Sequence, residues 1–568
     1  MRLRLGLLHA IGVAGGQIIE RSHMKNRFWI SIAMAALGAS LLVASAFAGG
    51  AGNAASTSKA QSEARGGTLR IDSRSDFDYI DPALAYFSHS WQLGDIVGLR
   101  LLGYPDVEGV AGGRLVATGA SGMPRVSADG KTYVFTIRPG FKFSDGTTVT
   151  SANYAKAFQR ALDPKMQSPA SSFLDDVKSY KASGGTFTVK LKTVAPDFLA
   201  RMTMPFFGAV PTSLANIPEG VQAPMVSAGP YYVKEWTQKR SALIVRNPHW
   251  KNNAAPWNAL KRPANVDAVS YTFGNSLDAT KLRIEKGETD LGGVPGTAAA
   301  ELVEKYGLNK GRFFLRKNLV FWYFNLNSEG TLFKGNTKLR QAFNWAIDRP
   351  QIVRQHGYLG GGRTDQILPP GMPGFRDADV YPLRGVNAGS LKKAKSLASG
   401  NTRSGKAILY EFNTSPGPQI AQIVQYNLKQ IGVEVDIKLL DRVVQTEKGG
   451  TRGENFDILH NGWGADYPDP SNFLNVLLDG ARIQPTNNVN LSYFNDPVWN
   501  KRMQDAAKLS GDARLTTYGK LDGDMMRQAA PMAPYIVTNA RIFVSDSVGC
   551  YTFAPTHGVT NLAAVCKK

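Results

Sequence analysis

Between Asn461 and Leu474 the chain reads NGWGADYPDPSNFL, which sets one carboxylate, Asp466, among aromatic neighbours in a stretch crowded with glycine, proline and aspartate. A carboxylate at a junction of loops on a rigid scaffold offers an ammonium group or a metal ion a charged partner. Residue type alone leaves Asp466 balanced between that role and a turn cap, in which the side chain accepts a backbone N–H two residues on. Asp469, directly before Pro470, reads as such a cap. Trp463 fits either a core position or a ligand wall. His460 is a metal candidate by type, but an isolated histidine before a loop reads first as a hydrogen-bonding or packing residue.

The remaining chemistry is excluded motif by motif. GNTRSGKA over Gly400–Ala407 approaches a phosphate-binding loop, but Ala407 stands where a hydroxyl must meet magnesium, and a strand follows instead of a helix N-terminus. No G-x-S-x-G elbow occurs, and His89, His249, His356, His460 and His557 show no metal-ligand spacing. We therefore expect no catalytic residue, no metal site and no cofactor. Cys550 and Cys566 are the two cysteines; in an exported chain they read as a disulfide, and closing that loop stabilises the tail by about 3 kcal/mol.

Those residues must be positioned by 568 residues, 43% of them hydrophobic. Single cores stop growing near 250–300 residues, so two or three domains are expected. Met24–Arg27 supplies a basic start, Phe28–Ala46 is uncharged, and Ala46-Phe47-Ala48 ends in small residues, the parts of a signal peptide cleaved after Ala48. An uncleaved anchor is the alternative, since the uncharged run is nearly long enough to span a bilayer. Residues 1–23 read as an upstream extension, and no cysteine follows the cleavage site to carry a lipid. Without residues 1–48 the formal charge falls from +21 to about +17, with Lys and Arg spread along the chain rather than gathered in a nucleic-acid motif. A solvated basic surface near anionic headgroups is the reading, with no nucleic-acid partner.

Residues 49–65 read as a flexible linker. Strands are expected at Gly66–Ile71, Tyr133–Ile137, Thr186–Leu191, Ala242–Arg246, Val266–Phe273 and Val320–Leu326, and helices at Thr150–Leu162, Ser276–Lys286 and Lys338–Ile347. Ala407–Phe412, Gln419–Ile431 and Val433–Leu439 form a strand–helix–strand unit, hence parallel, and the short strand Phe456–Leu459 delivers the Asp466 stretch at its C-terminal end.

The ordered set GGTLRI, IDPAL, YVFTIRPGFKFSDGTTVTSANYAKAFQRALDP, AGPYYVKEW, IVRNPHW, LRQAFNWAIDR and NGWGADYPDPSNFL resembles the family 5 extracellular solute-binding proteins of ABC transporters, the oligopeptide, dipeptide and nickel group. The resemblance implies a two-lobed α/β periplasmic-binding-protein fold of type II with the ligand between the lobes. It implies domain I over 66–90, 222–319 and 531–568, domain II over 91–221 and domain III over 320–530. Asp466 falls on the aspartate that binds a peptide's α-ammonium; Gly462, Trp463 and Gly464 flank it, and Tyr86, Phe87 and Ser88 supply a strand edge from the opposite lobe. Where some oligopeptide receptors carry an arginine, this chain has His460, so a peptide's carboxylate lacks that partner. The implied function is an extracytoplasmic, monomeric receptor that delivers a short peptide or other amine-bearing solute to an ABC permease with its ATPase subunits. A receptor for a nickel or metal complex and an exported hydrolase are the alternatives.

Overall fold

The computed structural model describes residues 65–107, 110–250, 262–554 and 558–568, all within one unit, Thr57–Lys568. The upstream extension, the signal segment and all of the linker but Arg65 lie outside the described residues, as does His557. The elements that position the site are β1 (Thr68–Ser73), α1 (Ser88–Val97), β2 (Phe313–Leu326), β3 (Ala407–Phe412), α2 (Gly417–Lys429), β4 (Val435–Leu440), α3 (Arg442–Gly449), β5 (Ile458–Gly464) and β6 (Met532–Val544).

The fold is α/β, built on an eleven-stranded mixed sheet and a four-stranded antiparallel one. The large sheet runs β4-β3-β5-β2-β6, then Leu291–Gly293, β1, Ala268–Phe273, Ser241–Arg246 and Tyr231–Thr237, with the eleventh strand, Gly361–Arg363, paired to β6 off this path. In α2, Ile420, Ala421, Val424 and Leu428 recur at helical spacing and pack with Leu409 of β3, so β3-α2-β4 closes as the parallel unit the sequence implies, with Ala407 opposite Val435 and Phe412 opposite Leu440. β5 also runs parallel to β3. The C-terminal ends of β3, β4 and β5 therefore share one edge, where α3 begins and where the chain turns into Asp466.

β2 and β6 are long, 14 and 13 residues, and pair antiparallel from Phe313↔Phe543 to Asn325↔Met532, with a break in register between Lys317 and Phe321. Phe313 is buried with Phe543 and Val294, whereas Phe324 and Leu326 are buried with Leu409 and Ile458. Between these ends, Arg316, Lys317 and Asn318 are partly or fully exposed, so the strand leaves one core and enters another. A third core, with Phe135, Phe187 and Val189 of the small sheet against Tyr154 and Phe158 of the helix Ser151–Leu162, stands apart from both. The Asp81-Pro82 turn is tied to that helix by a fully buried pair: Asp81 accepts two hydrogen bonds from the Arg160 guanidinium at 2.7 Å each.

The strand that leads into Asp466 differs from expectation. The sequence places it at Phe456–Leu459 with an irregular turn from Asn461, but β5 continues to Gly464, paired antiparallel with β2 from Leu326↔Ile458 to Val320↔Gly464. Long-range pairing overrides the weak strand preference of Asn and Gly here. Gly462 is required by that pairing, since a Cβ there would sit 2.7 Å from the Trp322 ring. Near the C-terminus Cys550 and Cys566 face each other across two short strands as a disulfide, Cα to Cα 5.0 Å.

Candidate functional site

Asp466 leaves the sheet two residues after β5 and is locked at once. Its backbone N–H donates to Asn472 Oδ1 at 2.9 Å, and Asn472 Nδ2 returns a hydrogen bond to Asp466 Oδ2 at 2.7 Å. Asn472 also receives, at its carbonyl, the Trp463 indole N–H at 3.1 Å. Asp469 does what its place before Pro470 implies: it caps the turn Pro470–Asn472 through Ser471 N–H at 2.9 Å, and it pairs with Arg514 at 2.7 Å. The loop thus spends Asp469 on structure and holds Asp466 for another use.

Asp466 is 5% exposed and lies on the wall of a cavity of about 400 Å³. From the other side of the cavity Tyr86 donates its hydroxyl to Asp466 Oδ2 at 3.4 Å. Burial pushes the Asp466 carboxyl up to about 7, against the hydrogen bonds from Asn472 and Tyr86, which pull it down. Among the described residues no cation pairs with it. An ionised, desolvated carboxylate with no counter-ion is costly, which is why the group holds its proton further up the pH scale.

Of the residues singled out from the sequence, Asp466, Trp463, Gly464, Gly462, Tyr86, Phe87 and Ser88 all line this cavity. The manner differs on one side. Tyr86, Phe87 and Ser88 offer no strand edge: the Asp78 carboxylate takes the N–H groups of Tyr86 and Phe87 at 2.7 and 3.0 Å, and Ser88 is already the first residue of α1. Their contribution to the wall is through side chains.

His460 is a correction of another kind. It does not line the cavity; it is 2% exposed, with Nδ1 2.6 Å from Glu411 Oε1 and Nε2 2.8 Å from the Tyr535 hydroxyl, stacked on Phe324. The two-residue period of β5 puts His460 on the same face as Gly462, but Trp322 packs on the histidine ring at 5.2 Å and lines the cavity in its place. Among the described residues no cluster of three or more His, Cys, Asp or Glu side chains could hold a metal ion.

Sequence reasoning missed Trp322, His89 and Arg442, which also line the cavity. Arg442 had a readable signal, since it follows the C-terminal end of a parallel strand by two residues, where α/β sheets place their sites.

The tail of the same loop reaches away from the cavity. Tyr467 is buried in the core of the small sheet and donates to Asp197 Oδ2 at 2.9 Å, joined by the Ser471 hydroxyl at 3.3 Å. Asp197 in turn holds Arg201 at 2.7 Å, and Arg201 reaches Asp176 at 3.0 Å. One loop therefore carries the cavity's carboxylate and a buried polar link to a separate core.

A family model described as bacterial extracellular solute-binding proteins, family 5 Middle, matches residues 115–485, well over half of the chain. The chain belongs to this family of extracellular solute-binding proteins. Over 456 residues, 75% of this chain and 80% of the relative, it is 26% identical to the periplasmic oligopeptide-binding protein OppA of Salmonella typhimurium. It is 26% identical over 457 residues to the dipeptide-binding protein DppE of Bacillus subtilis, covering 75% and 79%. The fold is shared with the clavulanic acid biosynthesis oligopeptide binding protein 2 (TM-score 0.80, 24% identity, 89% and 96% covered) and with the Escherichia coli murein tripeptide binding protein MppA (0.74, 21%, 88% and 98%). Against this family frame, the cavity between α1 and the β5 edge is the candidate solute site.

Proposed function

We propose that this solute-binding protein encloses a short peptide, with the peptide's α-ammonium on Asp466, and presents it to an ABC permease whose ATPase subunits supply the energy. The carrying observation is Asp466 itself, a nearly buried carboxylate on the cavity wall without a counter-ion among the described residues. Trp463, Tyr86, Phe87, Ser88 and the backbone at Gly462 and Gly464 form the wall around the peptide. The names of the relatives, oligopeptide- and dipeptide-binding proteins, support the same class of solute. A charge-assisted hydrogen bond contributes about 1.5–3 kcal/mol, well short of the about 8 kcal/mol of a micromolar complex, so aromatic enclosure supplies much of the rest. The protein binds without chemistry, acts as a monomer outside the cytoplasm after cleavage behind Ala48, and divides into domains at the boundaries read from the sequence.

Native mass spectrometry of protein purified from its own cells tests this reading. A retained mass that fragments as a short peptide is the expected result; a retained metal complex, or hydrolysis of added peptides, overturns it.

The raised carboxyl of Asp466 gives a pH signature. Below about 7 the empty site holds a proton that an incoming ammonium must displace. Affinity for a free-amine peptide therefore rises with pH up to about 7, by about tenfold per unit while Asp466 in the complex stays ionised, and levels off above. Titration calorimetry from pH 5 to 7.5 reads the slope; a flat profile contradicts the assignment.

A further inference from the structure

The turned-in histidine and the tryptophan on the cavity wall belong to one arrangement. His460 stands in a buried polar chain that links three strands of the large sheet. Its Nδ1 donates to Glu411 Oε1 of β3 at 2.6 Å, and its Nε2 meets the Tyr535 hydroxyl of β6 at 2.8 Å. The same hydroxyl reaches His356 Nε2 at 3.1 Å, so the phenol can donate to one imidazole and accept from the other. Burial, with smaller contributions from His460 and Arg541, lowers the His356 pKa to about 4, which makes it an uncharged ring at neutral pH. Tyr535 is aimed there by a break in register: Trp322 pairs with Ile536 and Tyr323 with Pro534, so Tyr535 falls between them as an extra residue.

Such a chain is costly to bury. Glu411 and Tyr535 are fully enclosed, and Glu411 Oε2 has no hydrogen-bond partner among the described residues. Replacing buried ionic groups by apolar side chains of similar volume is often neutral or stabilising, so the core itself does not require these groups. What they fix is the His460 ring, and that ring carries Trp322. The indole packs on His460 at 5.2 Å, meets Phe412 edge-on at 5.8 Å and reaches His356 at 6.4 Å. The Gly462 backbone lies against it as well, where a Cβ would sit 2.7 Å from the ring. Held on these sides, the half-buried indole keeps one angle, and what remains exposed of it lines the cavity.

We infer that His460 is a positioning residue of the solute site. Held between Glu411 and Tyr535, it sets the Trp322 indole at a fixed angle, and the set indole selects an aromatic side chain of the solute over a small one. Aromatic rings gain from offset or edge-on packing only in a narrow range of geometries, so an indole free to tilt would discriminate less. The inference rests on the peptide reading above and adds to it residues that act from behind the wall. Glu411, His460 and Tyr535 do not line the cavity, so their effect on a solute passes through Trp322.

Titration calorimetry of the full mature chain compares Ala-Ala-Ala with Phe-Ala-Ala, Ala-Phe-Ala and Ala-Ala-Phe. The parent is expected to bind at least one phenylalanine peptide about fivefold or more tighter than Ala-Ala-Ala. Y535F removes one hydroxyl, keeps the ring stacked on Phe324, and is expected to lose most of that gap by weakening the phenylalanine peptide. E411L cuts the chain at its other end and is expected to give the same selective loss, so the test does not hang on one variant folding. W322A is expected to show no gap, and adding Y535F to it to change nothing further. A gap that survives in both Y535F and E411L, or a loss of affinity shared equally by all four peptides, overturns the inference, since the chain then serves packing alone. A parent that prefers none of the phenylalanine peptides overturns it as well, while leaving the peptide reading in place. A parent that binds none of the four overturns both.

Discussion

Asp466→Asn raises the Kd for a free-amine tripeptide about 100-fold. Asparagine keeps the shape of the side chain and can still accept from Asn472 and Tyr86, so the loop Ala465–Phe473 holds its course. What disappears is the charge. Removing one partner of a desolvated, hydrogen-bonded charge pair costs about 2–5 kcal/mol, because the ammonium is then left buried against a neutral group. The pH slope of binding below about 7 vanishes in the same variant, since the titrating group is gone. Calorimetry of parent and variant reads both effects; a variant that binds as the parent does removes Asp466 from the site.

Asp197→Ala destabilises the protein by about 3 kcal/mol or more, the cost of breaking a buried ion pair from one side. Burial alone would raise the Asp197 carboxyl, but the Arg201 guanidinium beside it overcomes that and holds it well below the usual carboxylate range. The alanine variant leaves Arg201 with Asp176 and the Phe173 carbonyl and leaves the Tyr467 hydroxyl without its acceptor. The sign with pH follows from the depressed value. The parent's advantage is fully present above the ordinary carboxylate range and is lost only as pH falls below it, through the folded value. Urea unfolding of both proteins at pH 7 and near pH 3 reads it; equal midpoints at pH 7 contradict the structural role given to this link.

How far the sequence was legible depends on whether a feature was local. Thr186–Leu191 and Ala407–Phe412 appear with the bounds that alternation and flanking turns imply, and the parallel β3-α2-β4 unit follows from element order. Asp469 as a cap and Asp466 as the candidate anchor were both readable, the first from turn chemistry and the second from the shared motif. Two errors were not local. The extension of β5 through Asn461–Gly464 is decided by its partner strand β2, which turn-forming residues do not announce. The first half of β2, Phe313–Leu319, was hidden by Arg316, Lys317 and Asn318, which are tolerated because the strand is only partly covered between its two cores. Facing direction was the other blind spot. Nothing in the order of residues shows that Trp322 covers His460, that Asp78 consumes the amides of Tyr86 and Phe87, or that Tyr467 reaches across to Asp197. Arg442 lay between these extremes, legible from topology once the parallel strands were assigned.

These features converge on one arrangement, a cavity of about 400 Å³ whose wall carries a nearly buried carboxylate with no counter-ion among the described residues. The most direct measurement compares, by calorimetry at pH 7.5, a short unblocked peptide with the same peptide acetylated at its N-terminus. The arrangement predicts that acetylation, which removes only the positive charge, weakens binding by about tenfold or more. Equal affinity for the two would contradict it.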